Sequence, residues 1–210
     1  SPKATAGTAG YLVMVTERGM IKKVAADVFA NVRKSGIAAI TLKGGDTLRG
    51  VAATGGRDEI LLVTERGQAV RFAESNVRPM GRGASGVKAM RLKKDDRIRG
   101  VNVVRSGTND AASHLLVVFE QGFGKKTPVK DYKRQKRGGS GIKTAKITPK
   151  TGTVVASSLT REETELVAIS ERGQVIRTLL ADVPTLSRAT QGVRIMKLEA
   201  GDKVASATTL

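Results

Sequence analysis

Cysteine is absent from the 210 residues, and there is a single histidine, His114. A Cys/His structural zinc site and a cysteine nucleophile are thereby excluded, and a histidine-based catalytic centre nearly so. His114 follows the polar stretch Ser106–Ser113 and opens an apolar run, the setting of an ordinary strand edge. Tryptophan is also absent, and aromatic residues make up 3% of the chain. Proteins that hold single strands or RNA loops stack bases on aromatic rings, so the shortage weighs against that class of partner. The longest apolar runs, such as Tyr11–Val15 and Leu115–Phe119, are far short of the roughly 20 residues that a membrane-spanning helix needs. No basic amphipathic helix stands out, so no membrane partner is expected. Acidic residues are scarce: 19 Asp and Glu face 37 Lys and Arg, a formal net charge of +18. So much like charge opposes compaction and is best understood with a polyanionic partner. Many cations with few rings point to the phosphates of a duplex.

What the chain does contain is repetition. A short apolar strand and a tight turn ending in glycine recur four times, as YLVMVTERG (11–19), ILLVTERG (60–67), LLVVFEQG (115–122) and LVAISERG (166–173). The turn glycines Gly19, Gly67, Gly122 and Gly173 lie 48, 55 and 51 residues apart. Four residues beyond each comes a cation (Lys23, Arg71, Lys126, Arg177), and ten beyond comes a bulky residue (Phe29, Val77, Tyr132, Val183). A second glycine, Gly36, Gly86, Gly141 or Gly192, leads into a new alternating strand. An acidic turn then precedes a final strand in three repeats, at Gly45-Asp46, Asp95-Asp96 and Gly201-Asp202; the third has Lys150-Thr151-Gly152 instead. Short Val/Ile/Leu runs bounded by Gly and Asp read as buried or half-buried strands. Glycine at the turn tolerates positive φ without steric cost. About four strands per period near 50 residues is the pattern of a propeller blade. The fold class expected is therefore all-β, with four four-stranded blades at about 11–56, 57–105, 113–161 and 164–210. Residues 1–10 read as linker, Ser106–Ser113 as a surface loop, and Ala25–Arg33 is compatible with a helical turn.

The segment Gly122–Lys150 holds ten Lys or Arg and one acid, Asp131. At its centre stands Gln135-Lys136-Arg137-Gly138-Gly139-Ser140-Gly141. Adjacent glycines let backbone N–H groups approach phosphate oxygens, with Lys136 and Arg137 supplying charge. Lys125, Lys126, Lys133, Arg134 and Lys143 surround this loop in the sequence, and Lys22 and Lys23 stand in the first repeat. The equivalent segments carry Arg33 and Lys34, Arg82, and Arg188, read as weaker phosphate contacts on the same rim. For Lys23, Arg71, Lys126 and Arg177 two readings stay open, DNA contact or solvated strand ends. Two nucleotide motifs are coincidental. GRGASG (81–86) matches G-x-G-x-x-G but leads into a strand, not a helix, and in GGSGIKT (138–144) Ile142 separates Gly141 from Lys143. Tyr132 aligns with Phe29, Val77 and Val183 and reads as a packing residue.

Gln135–Gly141 resembles the seven-residue gyrase A box: Gln, two basic residues, two glycines, a basic residue and glycine. Six positions match, and Ser140 stands where the family has Lys or Arg. Gly67–Gly86 and RATQGV (188–193) also resemble the last blades of the DNA gyrase A C-terminal domain. That resemblance implies a β-pinwheel whose blades exchange strands and whose rim wraps duplex DNA in support of negative supercoiling. It implies five or six blades, so four repeats, in a chain opening Ser1-Pro2, are expected to be part of a larger ring. Here the box lies in the third repeat, whereas the family usually carries it in the first. The resemblance further implies a bacterial, cytoplasmic protein. The implied partners are duplex DNA, the rest of the gyrase A polypeptide, and gyrase B in an A2B2 assembly. No cofactor is expected in this domain; ATP and magnesium would bind elsewhere in the full ATP-dependent type II topoisomerase. The corresponding domain of the closely related topoisomerase IV, and a non-enzymatic propeller binding RNA or acidic proteins, are the alternative readings.

Overall fold

The computed structural model describes residues 10–32, 34–107, 109–161 and 163–210. In the first repeat, β1 (Tyr11–Thr16) and β2 (Met20–Ala25) form a hairpin, followed by β3 (Leu48–Thr54). The second contains β4 (Glu59–Thr64), β5 (Gln68–Ala73), the short β6 (Val87–Lys88) and β7 (Ile98–Val104). The third contains β8 (His114–Phe119), β9 (Phe123–Pro128), β10 (Ile142–Lys143) and β11 (Val154–Thr160). The fourth contains β12 (Glu165–Ser170), β13 (Val175–Leu179), β14 (Val193–Arg194) and β15 (Val204–Thr209). The helical turn expected near Ala25–Arg33 is a 3-10 turn at Ala26–Phe29, with counterparts at Glu74–Asn76, Val129–Asp131 and Leu180–Asp182.

The sheets are antiparallel, in the orders β3-β1-β2-β6, β10-β5-β4-β7, β11-β8-β9-β14 and β13-β12-β15. Each short strand thus leaves its own repeat and completes the preceding blade. The last sheet has three strands among the described residues, and β13 is its free edge. The turn glycines hold φ of 78°, 76°, 75° and 85°, the left-handed region that closes these hairpins. Behind three of the turns a hydroxyl locks the corner: Thr16 accepts from the N–H of Met20, Thr64 from Gln68 and Ser170 from Gln174, each at 3.1 Å.

The core lies between blades. Alternation sends Ile60 and Leu62 toward Val13, Val15 and Ile21 of the first blade, and Leu61 and Val63 toward Leu115, Val117 and Phe119 of the third. A central blade is covered on both faces, which is why its strands read as unbroken apolar runs. Tyr132, a buried member of the second interface, donates to or accepts from Thr144 through its hydroxyl, so the packing role expected of it holds. Strands β3, β7, β11 and β15 lie side by side at the hub. Their approach is close enough that a Cβ on Gly100 would overlap the Ser157 side chain.

Candidate nucleic-acid interface

The acidic turns are structural. Asp46, Asp96 and Asp202 accept the backbone N–H of Arg18, Arg66 and Arg172 at 3.0, 3.0 and 3.2 Å, capping the glycine hairpins. The third repeat lacks the acid, and the equivalent N–H of Gln121 donates to the Thr151 carbonyl at 2.9 Å.

The cations divide by location. Lys22 is fully buried, and its ammonium donates to the carbonyls of Ala39 (2.8 Å) and Arg82. Lys125, buried likewise, donates to Ser187 (2.8 Å) and Arg188. Burial, with the neighbouring Arg188 charge second, pushes the Lys125 ammonium down to about 8. Burial and then Arg82 lower Lys22 in the same direction. Three of the four cations four residues beyond the turns also point inward, toward the next blade's 3-10 turn. Lys23 donates to the Glu74 carbonyl (3.4 Å), Arg71 to Val129 (3.1 Å) and Lys126 to Leu180 (2.6 Å). Arg71 is further held by Glu59 and by Asp110 at 2.7 Å, and Lys23 lies 3.5 Å from the Glu74 carboxylate. Neither sequence reading of this position fits Lys23, Arg71 or Lys126. They fasten one blade to the next, and Lys22 and Lys125 likewise face carbonyls instead of the surface. Among the described residues no blade covers Arg177, which is exposed and pairs with Glu165.

The loop Gln135–Gly141 lies over the seam between the first two blades. Its backbone is tied down by Gln135 N–H to Arg71 (2.7 Å), Gly138 N–H to Ala89 (2.7 Å) and Arg91 N–H to Gly139 (2.9 Å). Gly138 and Gly141 have φ of 85° and 74°, and a Cβ on Gly141 would run into the Ala69 carbonyl. Arg137 caps the carbonyls of Asn76 (3.2 Å) and Lys88, so it positions the loop. Arg134 pairs with Glu59 while remaining largely exposed. Lys133, Lys136, Ser140 and Lys143 are exposed, as are Lys34 and Arg82; Arg188 is half-buried and donates to the Lys143 carbonyl at 3.0 Å. Arg33 lies outside the described residues.

These loops join into a belt. Thr41 bonds to the carbonyls of Ala84 and Gly83, the 135–141 loop to Ala89 and Arg91, and Thr190 to the N–H of Lys146. Along it runs a series that the sequence reading largely missed. Two and five residues beyond the second glycine stand Lys88 and Arg91, Lys143 and Lys146, and Arg194 and Lys197. All six are exposed, and none takes part in a salt bridge among the described residues. The signal that could have found them is spacing counted from the second glycine instead of the first.

A sequence model of the DNA gyrase C-terminal domain, a beta-propeller, matches residues 10–54, 58–105, 114–161 and 164–210. The chain belongs to this family. The DNA gyrase A protein of Staphylococcus epidermidis (strain ATCC 12228) is 40% identical over 196 residues, which is 93% of this chain and 22% of the relative. Its Staphylococcus aureus MRSA252 counterpart is 40% identical over 188 residues, 90% of this chain and 21% of that protein. The chain therefore spans about a fifth of the curated relatives it matches. A solved DNA gyrase A C-terminal domain superposes with a TM-score of 0.82 at 27% identity, covering 95% of this chain and 65% of that one. The C-terminal domain of a DNA topoisomerase IV superposes at 0.89 with 25% identity, covering 97% and 62%. The gyrase C-terminal domain fold expected from the box and the repeats is thus shown.

Proposed function

We propose that this gyrase C-terminal domain binds duplex DNA along the belt and bends it, as the DNA-wrapping part of a type II topoisomerase. The observation that carries the reading is the recurrence of Lys88/Arg91, Lys143/Lys146 and Arg194/Lys197, exposed and outside any salt bridge among the described residues, once per donated strand. Phosphate contacts position a duplex without reading its sequence, and a regular series of them along successive blades steers its path. Lys133, Lys136, Lys34 and Arg82 extend the cationic surface. The backbone N–H of Gly139 and the exposed Ser140 hydroxyl add neutral donors beside it, in the manner of an anion-binding nest. Bending 20–30 base pairs by 40–90° costs on the order of 1–6 kcal/mol, which counterion release from several phosphates offsets. No residue of this chain is assigned a catalytic role. The partners that follow are the remainder of a gyrase A polypeptide and gyrase B, in an A2B2 enzyme working in the bacterial cytoplasm. ATP and magnesium serve other domains of that enzyme.

The test is topological. The domain is bound to relaxed circular DNA, a relaxing topoisomerase is added, and the trapped linking change is read. A positive wrap supports the gyrase reading; bending without net linking change supports a topoisomerase IV role, which the 0.89 superposition favours. Binding to duplex DNA that does not weaken between low and physiological salt would overturn both.

A further inference from the structure

The loop before the second glycine is held in one way at all three blade junctions. At its start, the N–H groups of Met80, Gln135 and Leu186 donate to the carbonyls of Lys23, Arg71 and Lys126 at 2.7–2.8 Å. At its end, a Cβ on Gly86, Gly141 or Gly192 would strike the carbonyl of Ile21, Ala69 or Gly124. Between these points the carbonyls of Ala84, Gly139 and Thr190 accept the N–H of Thr41, Arg91 and Lys146 at 3.4, 2.9 and 3.0 Å.

Those three donors stand at one equivalent position, five residues beyond the second glycine of the preceding repeat. Arg91 and Lys146 are also the second members of belt pairs. The first members are held by the same loops. The guanidinium of Arg137 donates to the Lys88 carbonyl, and that of Arg188 to the Lys143 carbonyl at 3.0 Å. Both arginines lie four residues before their glycine. Two belt pairs are therefore fastened by their backbone to the following repeat, one bond per cation, while their side chains remain exposed.

Support from beneath differs between the loops. Three residues beyond the turn glycine stand the fully buried Lys22 and Lys125, under the loops that end at Gly86 and Gly192. Lys22 donates to the Arg82 carbonyl, and Lys125 to those of Arg188 and, at 2.8 Å, Ser187. Under the loop 135–141 the same position is Val70. There the N–H of Gly138 donates to Ala89 at 2.7 Å and Arg137 reaches the Asn76 carbonyl at 3.2 Å. In the fourth repeat a line of bonds thus runs from the interior to the belt. The Lys125 ammonium fixes the Arg188 backbone, the Arg188 guanidinium fixes Lys143, and the Thr190 carbonyl fixes Lys146.

We propose that Lys125 and Arg188 are positioning residues for DNA binding, which set Lys143 and Lys146 where successive phosphates meet them. This rests on the belt reading given above. Arg188 acts on the backbone of Lys143 and not on a phosphate, and Lys125 acts one step further in. A contact ordered in advance avoids the ordering cost that it would otherwise meet on binding.

A double-mutant cycle on the 210-residue chain tests this. Affinity for a short linear duplex at one low salt concentration is measured for Lys125→Met, Arg188→Gln and the pair Lys143→Ala with Lys146→Ala. Each of the first two is then combined with that pair, and circular dichroism checks every fold. Residues that act through one another are not additive. Lys125→Met and Arg188→Gln should each weaken binding about 2- to 10-fold, and less than about 2-fold once Lys143 and Lys146 are gone. Without DNA, amide exchange at Lys146 should quicken about 2- to 10-fold in both variants, the weight of one hydrogen bond. Arg188→Gln, a change at a half-buried site, decides the test if Lys125→Met does not fold. Equal losses of affinity in both backgrounds would mean direct phosphate contact and overturn the proposal, leaving the belt reading intact. An unchanged exchange rate at Lys146 would do the same. Unchanged affinity in the Lys143→Ala and Lys146→Ala pair itself would overturn the belt reading, and this proposal with it.

Discussion

Lys126 and Lys143 belong to the same repeat and carry the same charge, yet the structure sets them to opposite tasks. Lys126 is one of the strand cations, turned inward to a carbonyl of the next blade; Lys143 is one of the belt cations, exposed and outside any salt bridge among the described residues. Both series recur once per repeat, so periodicity alone does not separate structure from site. What separates them is the next blade. It covers the hairpin strand on which Lys126 stands, whereas the donated strand carrying Lys143 lies at the outer edge of its sheet.

The sharpest way to break this division is Arg71→Met. It leaves buried Glu59 with only the largely exposed Arg134 as an ionic partner and strips the Val129 and Tyr132 carbonyls of their arginine donor. Breaking one side of a buried ion pair costs about 3–5 kcal/mol, so denaturant unfolding should show a loss of that size. The salt slope of DNA binding, measured under conditions where the variant is folded, should not change.

Lys125→Met should cost less, about 1–3 kcal/mol, because it takes the ammonium donor from the Arg188 carbonyl and from the Ser187 carbonyl, which keeps the Thr190 hydroxyl, and leaves no buried charge. Its pH dependence identifies the group. The folded ammonium titrates at about 8, below the ordinary lysine value of 10.5, so the unfolded chain binds more protons between those limits. Wild-type stability relative to the variant should therefore rise from about pH 8 to 10.5 and level off outside that window. A flat difference curve would mean that the ammonium is solvated.

The smallest effect on stability belongs to the belt. Lys88→Ala with Arg91→Ala should stay within about 0.5 kcal/mol per site. The same pair should flatten the dependence of DNA affinity on salt by about 0.9 in slope for each phosphate no longer neutralised. If the double variant binds and bends DNA with unchanged salt dependence, the belt is not the track.

The blades were legible because their signals are local: apolar runs, a turn glycine and a second glycine at steady spacing. Tyr132 was placed correctly by its alignment with Val77 and Val183, which occupy the same buried position. Lys22, Lys23, Arg71, Lys125 and Lys126 were not, because carbonyl partners of each lie 51 to 63 residues away in the chain. A lysine bound for a carbonyl in another blade has the same spacing as one bound for solvent. Arg137 shows the same limit within the box itself, where its basic character was evident and its capping of Asn76 and Lys88 was not.

Strand donation also bears on how such chains gain and lose length. Since each outer strand belongs to the following repeat, every junction depends only on adjacency: the hairpin of one unit and the leading segment of the next. Excision of one whole period, cut at any equivalent pair of positions, leaves every surviving hairpin facing an intact donor. Excision of half a period strands a hairpin without one. Blade number can therefore change in steps of about fifty residues with no redesign of any interface, and in no smaller step.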